Sequence, residues 1–504
     1  MSNESSIISK VWNFANVLRD DGVGYGDYLE QLTYLLFLKM ADEFSKPPYN
    51  RSLTFPRLKD EKNREIKNAD ICNWETLCQK RGIELENFYN ALLRSLATEK
   101  GMLGQIFVKS QNKIQDPAKL FKIIDMVDKE KWSMMGADLK GKIYEGLLEK
   151  NAEDTKSGAG QYFTPRALIK AMVECVRPAP MKTITDPACG TGGFFLVAYD
   201  FIVKNRKLNK GQKEFLKNKT FHGNEIVANT RRMCLMNMFL HNIGDIDGES
   251  FISSADALIA DEGERFDYVL ANPPFGKKSS MTFTNEEGEQ EKEDLVYNRQ
   301  DFWATTSNKQ LNFLQHIRTL LKATGKAAVV LPDNVLFEGG AGETVRKELL
   351  KTTDLHTLLR LPTGIFYKQG VKANVLFFDN QKASRDHWTK AVWVYDYRTN
   401  IHHTLKKKPL KLEDLRDFIT LYNPINKRQA IWSEDNPEGR WRKFTYDEII
   451  ARDKTNLDIF WLKDKSLADL DNLPDPDILA SEIIENIEAG LESFKEIMET
   501  VNEK

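Results

Sequence analysis

The apolar run Phe266-Asp267-Tyr268-Val269-Leu270-Ala271 ends abruptly in Asn272-Pro273-Pro274-Phe275. Two successive prolines lack the N–H groups that a helix interior or an inner strand must donate, so the run ends there as a strand tip. The prolines also lock the backbone. The Asn272 amide and the Pro273 carbonyl are left as two fixed acceptors, and Phe275 as a stacking face. Such a corner suits one flat polar ring, and an extruded nucleobase with an exocyclic amino group is the ring it fits best. Turns rich in Asn and Pro also end strands for purely structural reasons, so the meaning of the corner depends on what lies upstream.

Upstream, the short strand Lys182 to Thr185 leads into Asp186-Pro187-Ala188-Cys189-Gly190-Thr191-Gly192-Gly193-Phe194-Phe195 and an apolar segment reaching Tyr199. Strand, glycine turn and helix start follow one another. Gly190, Gly192 and Gly193 let the backbone bend tightly and bring helix amides close to a ligand, which suits a nucleotide-type cofactor. The spacing lacks the third glycine of a dinucleotide fingerprint. Glu225, closing Thr220-Phe221-His222-Gly223-Asn224, is placed to accept both hydroxyls of a ribose. With Ala257 as a third strand end, Asp256 is placed to take the amino group of the cofactor's adenine. Singly, each acid also reads as a solvated loop carboxylate; the ordered set favours binding.

Before the glycine turn stands Gly160-Gln161-Tyr162-Phe163-Thr164-Pro165-Arg166. A helix capped by Thr164 with Pro165 in its first turn explains the last part. It does not explain Gln161-Tyr162-Phe163.

These segments resemble the modification (methyltransferase) subunits of type I restriction and modification systems, gamma-class adenine-specific DNA methyltransferases. The resemblance covers nearly the whole chain and rests on six ordered segments. They are Gly160 to Pro165, Asp186 to Phe194, Asn272 to Phe275, Thr306 to His316, Val330 to Phe337 and Leu361 to Phe366. It implies S-adenosylmethionine as cofactor, held by Gln161, Tyr162, Phe163, Thr164, Pro165, Arg166, Asp186, Ala188, Gly190, Thr191, Gly192, Gly193, Glu225, Asp256 and Ala257. It further implies catalysis of methyl transfer to the 6-amino group of adenine by Asn272, Pro273, Pro274 and Phe275, with no metal. Cys189 stands where Ala or Thr also occurs in similar proteins. The implied partners are double-stranded DNA, a specificity subunit that selects the sequence, a second copy of the modification subunit and a restriction translocase-nuclease subunit.

Composition agrees. The 504 residues with 41% hydrophobic content suffice for several cores. With 72 basic against 74 acidic residues the net charge is -2, so the main grip on DNA is expected in another chain. Lys277 and Lys278, and the cluster Lys406-Lys407-Lys408 with Lys411, read either as phosphate contacts or as solvated faces. Glu286 to Asp294 is acidic and reads as a mobile loop. Five scattered cysteines imply reduced thiols and no zinc. No signal peptide or membrane span is recognisable, so the expected setting is the cytoplasm.

The fold expected is α/β: a doubly wound, Rossmann-like methyltransferase sheet preceded by a helical domain and followed by a helical tail. Residues 1–150 form the helical N-terminal domain, with Tyr28, Leu32, Leu35, Leu36 and Met40 on one apolar face. Residues 151–400 form the catalytic domain, with strands at Ala327 to Leu331, Leu355 to Leu361 and Asn374 to Asp379. Residues 401–472 form an extension. Residues 473–504 form a terminal helix whose stripe Leu479, Ile483, Ile487, Leu491 and Phe494 packs on its own chain or contacts another subunit. Methylation of an RNA base or a protein glutamine, and a noncatalytic cofactor-sensing scaffold, remain as alternatives.

Overall fold

The structure, a computed structural model, describes residues 23–132 except 49 and 51–53, then 164–245, 248–276, 280–284, 290–294, 297–366, 371–405, 408–423 and 439–463, with isolated positions near both ends. The chain forms two compact units, Met1–Gly160 with Cys189–Asp256, and Gln161–Ala188 with Ala257–Lys504. The strands are β1 (Ile184–Asp186), β2 (Phe221–Asn224), β3 (Ile252–Ser253), β4 (Phe266–Ala271), β5 (Ser280–Thr284), β6 (Gln290–Asp294), β7 (Leu321–Pro332), β8 (Thr353–Arg360), β9 (Ala373–Asn380), β10 (Ala391–Asp396) and β11 (Trp441–Thr445).

The first unit gathers N-terminal helices around the helix Ala228–Leu240. In the helix Tyr25–Ser45 the expected face of Tyr28, Leu32, Leu35, Leu36 and Met40 is buried, but so are Leu29, Tyr34, Phe37 and Leu38. A helix apolar on nearly every side belongs inside a bundle. Phe37 and Phe44 both meet Phe239 of the Ala228–Leu240 helix, with ring centroids 5.1 and 5.8 Å apart. The helix Pro117–Asp128 starts where Asp116 accepts from the Ala118 amide, with Pro117 in the first turn. In the same unit β2 and β3 run parallel, with Asn224 opposite Ser253.

In the second unit the strand order is β11-β10-β8-β9-β7-β4-β1. The pairs β1/β4, β4/β7 and β8/β10 are parallel, whereas β9 runs antiparallel to both β7 and β8. β4, β8 and β9 are buried along nearly their whole length, and β7 over Ala327 to Leu331, as in strands covered on both faces. Leu311, Leu314 and Ile317 of the helix Lys309–Leu320, with Val345, Leu349 and Leu350 of the helix Ala341–Thr352, join Val269, Val329 and Leu376 in one core. Thr185 pairs with Val269, so Asp186 and Asn272 both leave the carboxyl ends of neighbouring parallel strands. In sheets of this kind that edge is where ligands bind. β11 extends the sheet antiparallel to β10.

The acidic stretch differs from its expected form. Gln290–Asp294 is a strand, paired antiparallel with Ser280–Thr284 from Ser280↔Asp294 to Thr284↔Gln290. Charge alone suggested a loop, but Ser280-Met281-Thr282-Phe283-Thr284 has the β-branched and aromatic content that favours a ladder. Residues 285–289, Lys277, Lys278, Lys406 and Lys407 lie outside the described residues. So does most of the terminal helix; Ile483, Ile484 and Ile487 are exposed. Among the described residues no helix is long and apolar enough to cross a membrane, and no His, Cys, Asp and Glu gather at a metal-holding spacing.

Candidate active site

Asn272 is 8% exposed at the tip of β4, and its Nδ2 donates to Thr164 Oγ1 at 2.8 Å. That bond spends the amide nitrogen on the protein and fixes the plane of the side chain. Thr164 therefore does not cap. The helix Arg166–Val176 begins one residue later than expected, with Pro165 at its N-cap and no side-chain capping bond. The threonine hydroxyl serves the corner instead, a long-range partner that local capping rules cannot anticipate. Phe275 is 7% exposed and meets Phe366 edge to face, centroids 5.8 Å apart. Phe366 had no role assigned from sequence beyond its family segment. The turn that delivers it needs Gly364, whose φ is 80° and whose Cβ, if present, would lie 1.9 Å from the His403 carbonyl oxygen. Asp333, in the segment Val330 to Phe337, is engaged by a bidentate Arg398 at 2.6 and 2.7 Å, which makes it a structural tie.

Asp186 is buried, and its Oδ1 accepts from the Ala188 amide at 2.9 Å, an Asx turn that starts the bend. Ala188 packs on Leu258, Tyr297 and Phe313. Within the first unit the bend continues. Cys189 donates to the Asn224 carbonyl at 3.0 Å, Gly190 and Gly192 take φ of 56° and 82°, and Gly193 opens the helix Gly193–Asn205. The Thr191 carbonyl accepts from Asn237 Nδ2 at 3.0 Å, so the Ala228–Leu240 helix braces the turn from behind. Glu225 follows β2 directly. Burial pushes its carboxyl above the usual range, while N–H groups of Val227 and Gly190 and the charge of Arg231 pull it down. A half-buried carboxylate tied to the glycine turn is suited to accept from a diol. These features fit the adenosine portion of S-adenosylmethionine: a glycine cradle without side chains and an acceptor for a ribose.

Asp256 is half-exposed, and here the expectation shifts. β3 ends at Ser253, so Asp256 lies beyond the strand and Ala257 opens the turn that follows rather than ending a strand. Only a short two-residue ladder forms because Ser253 to Asp256 lacks the β-branched residues of a longer strand. Arg166 opens its helix partly buried. Pro273 is buried and Pro274 partly so. Gln161, Tyr162 and Phe163 lie outside the described residues.

The cradle makes a prediction. A Cβ on Gly192 would stand 2.9 Å from Cys234 Sγ and 3.4 Å from Met238 Sδ, in a left-handed conformation that costs a side-chain residue about 1–2 kcal/mol. Gly192→Ala is expected to weaken S-adenosylmethionine binding by about tenfold or more, read by titration calorimetry. Gly190→Ala, whose Cβ meets nothing within 4 Å, carries the strain alone and serves as the comparison.

The chain is similar to known proteins along nearly its whole length. Residues 135–460 match the family model described as N-6 DNA Methylase, and residues 7–127 that described as HsdM N-terminal domain. The methylase subunit of the type I restriction enzyme StySJI of Salmonella typhimurium is 37% identical, over 98% of this chain and 95% of its own. The EcoKI methylase subunit of Escherichia coli K12 is likewise 37% identical over 98% of this chain and 95% of its own. The crystal structure of the EcoKI M protein aligns over 98% of this chain and 96% of its own at 31% identity, with a TM-score of 0.53. A chain from a structure of type I system assembly aligns over 99% of both chains at 23% identity and a TM-score of 0.70, which supports the fold.

Proposed function

The chain belongs to the N-6 DNA methylases and, among them, to the methylase subunits of type I restriction enzymes; from that premise we propose that it methylates the 6-amino group of adenine in double-stranded DNA at sites chosen by a specificity subunit. The observation that carries this reading is the corner of Asn272, anchored by Thr164, with Phe275 set against Phe366 beside it.

An adenine amine is a weak nucleophile because its lone pair is delocalised into the ring. Acceptors at the Asn272 side-chain oxygen and the Pro273 carbonyl bind the amine's hydrogens, favour a pyramidal nitrogen and stabilise the positive charge that develops on it. S-adenosylmethionine supplies the electrophilic methyl group when bound. Asp186, Ala188, Gly190, Thr191, Gly192, Gly193, Glu225, Asp256 and Ala257, together with Gln161, Tyr162, Phe163, Thr164, Pro165 and Arg166, are the residues we assign to hold it. Phe275 stacks on the extruded base. Phe275→Ala is expected to lower turnover by about 5- to 150-fold, the equivalent of about 1–3 kcal/mol of stacking, and Phe275→Trp to retain most of it. Equal losses in the two variants would refute stacking.

The protein's partners in this reading are the specificity subunit, a second copy of the modification subunit and a restriction subunit, in the cytoplasm. Labelled methyl transfer on defined duplexes, with and without the specificity subunit, tests it. Incorporation into adenine that requires both the subunit and its sequence is the expected result. Label in RNA or protein, or in DNA without sequence dependence, contradicts it.

A further inference from the structure

The helix Lys309–Leu320 buries a polar stripe beside its apolar one. Asn312, Gln315, His316 and Thr319 stand on one face and are all buried. Each holds a point on the segment before the helix. Asn312 Nδ2 donates to the Thr306 carbonyl at 2.8 Å. Gln315 takes both sides of the Ala304 peptide unit, accepting from its N–H at 2.8 Å and donating to its carbonyl at 3.1 Å. Thr319 Oγ1 donates to Asp301 at 2.6 Å. Asp301 in turn receives Arg299 on both oxygens, Nε to Oδ1 at 2.9 Å and Nη2 to Oδ2 at 2.6 Å. Arg299 is 8% exposed, and its guanidinium lies 4.3 Å from the Phe302 ring centroid.

The remaining nitrogen points back along the chain. Arg299 Nη1 donates to His316 Nδ1 at 3.1 Å and reaches the carbonyls of Ala257 and Leu258 at 3.4 and 3.3 Å. His316 can accept because burial, followed by the charge of Arg299, drives its pKa down to about 3 and keeps the imidazole neutral. Two residues before Arg299, Tyr297 packs with Leu258 and Phe313 against Ala188. One short segment therefore reaches the Ala257 carbonyl through Arg299 and shares, through Tyr297, the cluster on which Ala188 packs; both alanines are assigned to the cofactor, and Ala257 directly follows Asp256.

We propose that Arg299 is a positioning residue for cofactor binding: paired with Asp301 on the polar face of the Lys309–Leu320 helix, it fixes the Ala257–Leu258 backbone and the adjoining Ala188 bend in the form the adenosine half of S-adenosylmethionine requires. The proposal rests on the assignment of Ala188, Asp256 and Ala257 to that cofactor. The residue type follows from geometry. Only a planar fork can satisfy both oxygens of Asp301 and still direct a third nitrogen at two carbonyls, whereas an ammonium is a point charge. A buried ion pair adds little net stability over apolar packing, so what this pair supplies is a defined loop conformation.

Titration calorimetry of the full-length protein with S-adenosylmethionine tests this, with thermal unfolding in parallel and methyl-transfer kinetics in the assembled complex. For Arg299→Lys the dissociation constant is expected to rise about tenfold or more. At saturating cofactor, kcat stays within about threefold of the parent. Thr319→Val removes a single bond to Asp301 and is expected to weaken cofactor binding about threefold with little change in melting. A folded Arg299→Lys that binds the cofactor like the parent overturns the proposal, as does a loss confined to kcat. If Arg299→Lys does not fold, unchanged affinity in Thr319→Val overturns it. A parent protein that binds no S-adenosylmethionine removes the cofactor assignment itself, and that titration is read before any variant.

Discussion

Asn272→Ala is expected to lower methyl transfer to DNA by about a thousandfold, or about 4 kcal/mol of transition-state stabilisation, with the S-adenosylmethionine dissociation constant unchanged. The substitution removes one of two acceptors that face the amine and leaves the Pro273 carbonyl in place. The ground-state amine is nearly planar and uncharged, so the lost interaction is one that strengthens as positive charge grows on nitrogen; it appears in kcat rather than in substrate affinity. The anchoring by Thr164 at 2.8 Å makes the expected effect large. A preorganised acceptor costs no reorientation during reaction, unlike a water molecule in its place. Single-turnover transfer of labelled methyl by the assembled complex gives the rate, and calorimetry gives the cofactor affinity. A variant that transfers methyl within about tenfold of the parent, or one that loses cofactor affinity in proportion to rate, would show that the corner is not where the amine is held.

That corner was legible because proline restricts locally: Pro273 and Pro274 end β4 whatever surrounds them. The glycine turn was legible for the same reason, since φ of 56° and 82° at Gly190 and Gly192 is a local demand that glycine meets. The strands β7 and β9 carry the apolar runs Ala327 to Leu331 and Val375 to Phe378, and β8 the leucines of Leu355 to Leu361, but such a pattern carries no direction, and nothing in Asn374 to Asp379 states that β9 lies antiparallel to both neighbours. Polar residues were the harder part. Thr164 looked like a cap because capping is a short-range rule, whereas its partner stands 108 residues away. Gln315 and His316 lay in a recognised family segment without a role, because the role is to hold Ala304 and Arg299, which only the folded chain brings within reach. The acidic run ending at Asp294 was misjudged by composition, since a strand depends on its partner as much as on itself.

Arg232→Met carries the largest expected loss of stability, about 3–5 kcal/mol in the first unit. Arg232 is 1% exposed and comes from the Ala228–Leu240 helix. It pairs with Glu30 at 2.8 Å, donates to the carbonyls of Ile106 at 2.6 Å and Val108 at 2.5 Å, and lies 5.1 Å from the Tyr34 ring centroid. Methionine fills similar volume but leaves the Glu30 carboxylate and two carbonyls without this donor, and an uncompensated buried charge is the expensive part. The same helix braces the glycine turn through Asn237 and lies under Gly192 through Cys234 and Met238. Loosening its attachment to the N-terminal helices should therefore reach the cradle. The expected record is a first unfolding transition about 10 °C lower and weaker S-adenosylmethionine binding, with part of the midpoint recovered as cofactor is added, since a ligand that binds only the folded form stabilises it by mass action. Arg232→Lys, which keeps a charge for Glu30 and loses the planar fork, should fall between the two. A methionine variant whose midpoint matches the parent would show that apolar packing such as Phe37 on Phe239 suffices to hold the helices to this unit, and that the buried ion pair is incidental to the cradle.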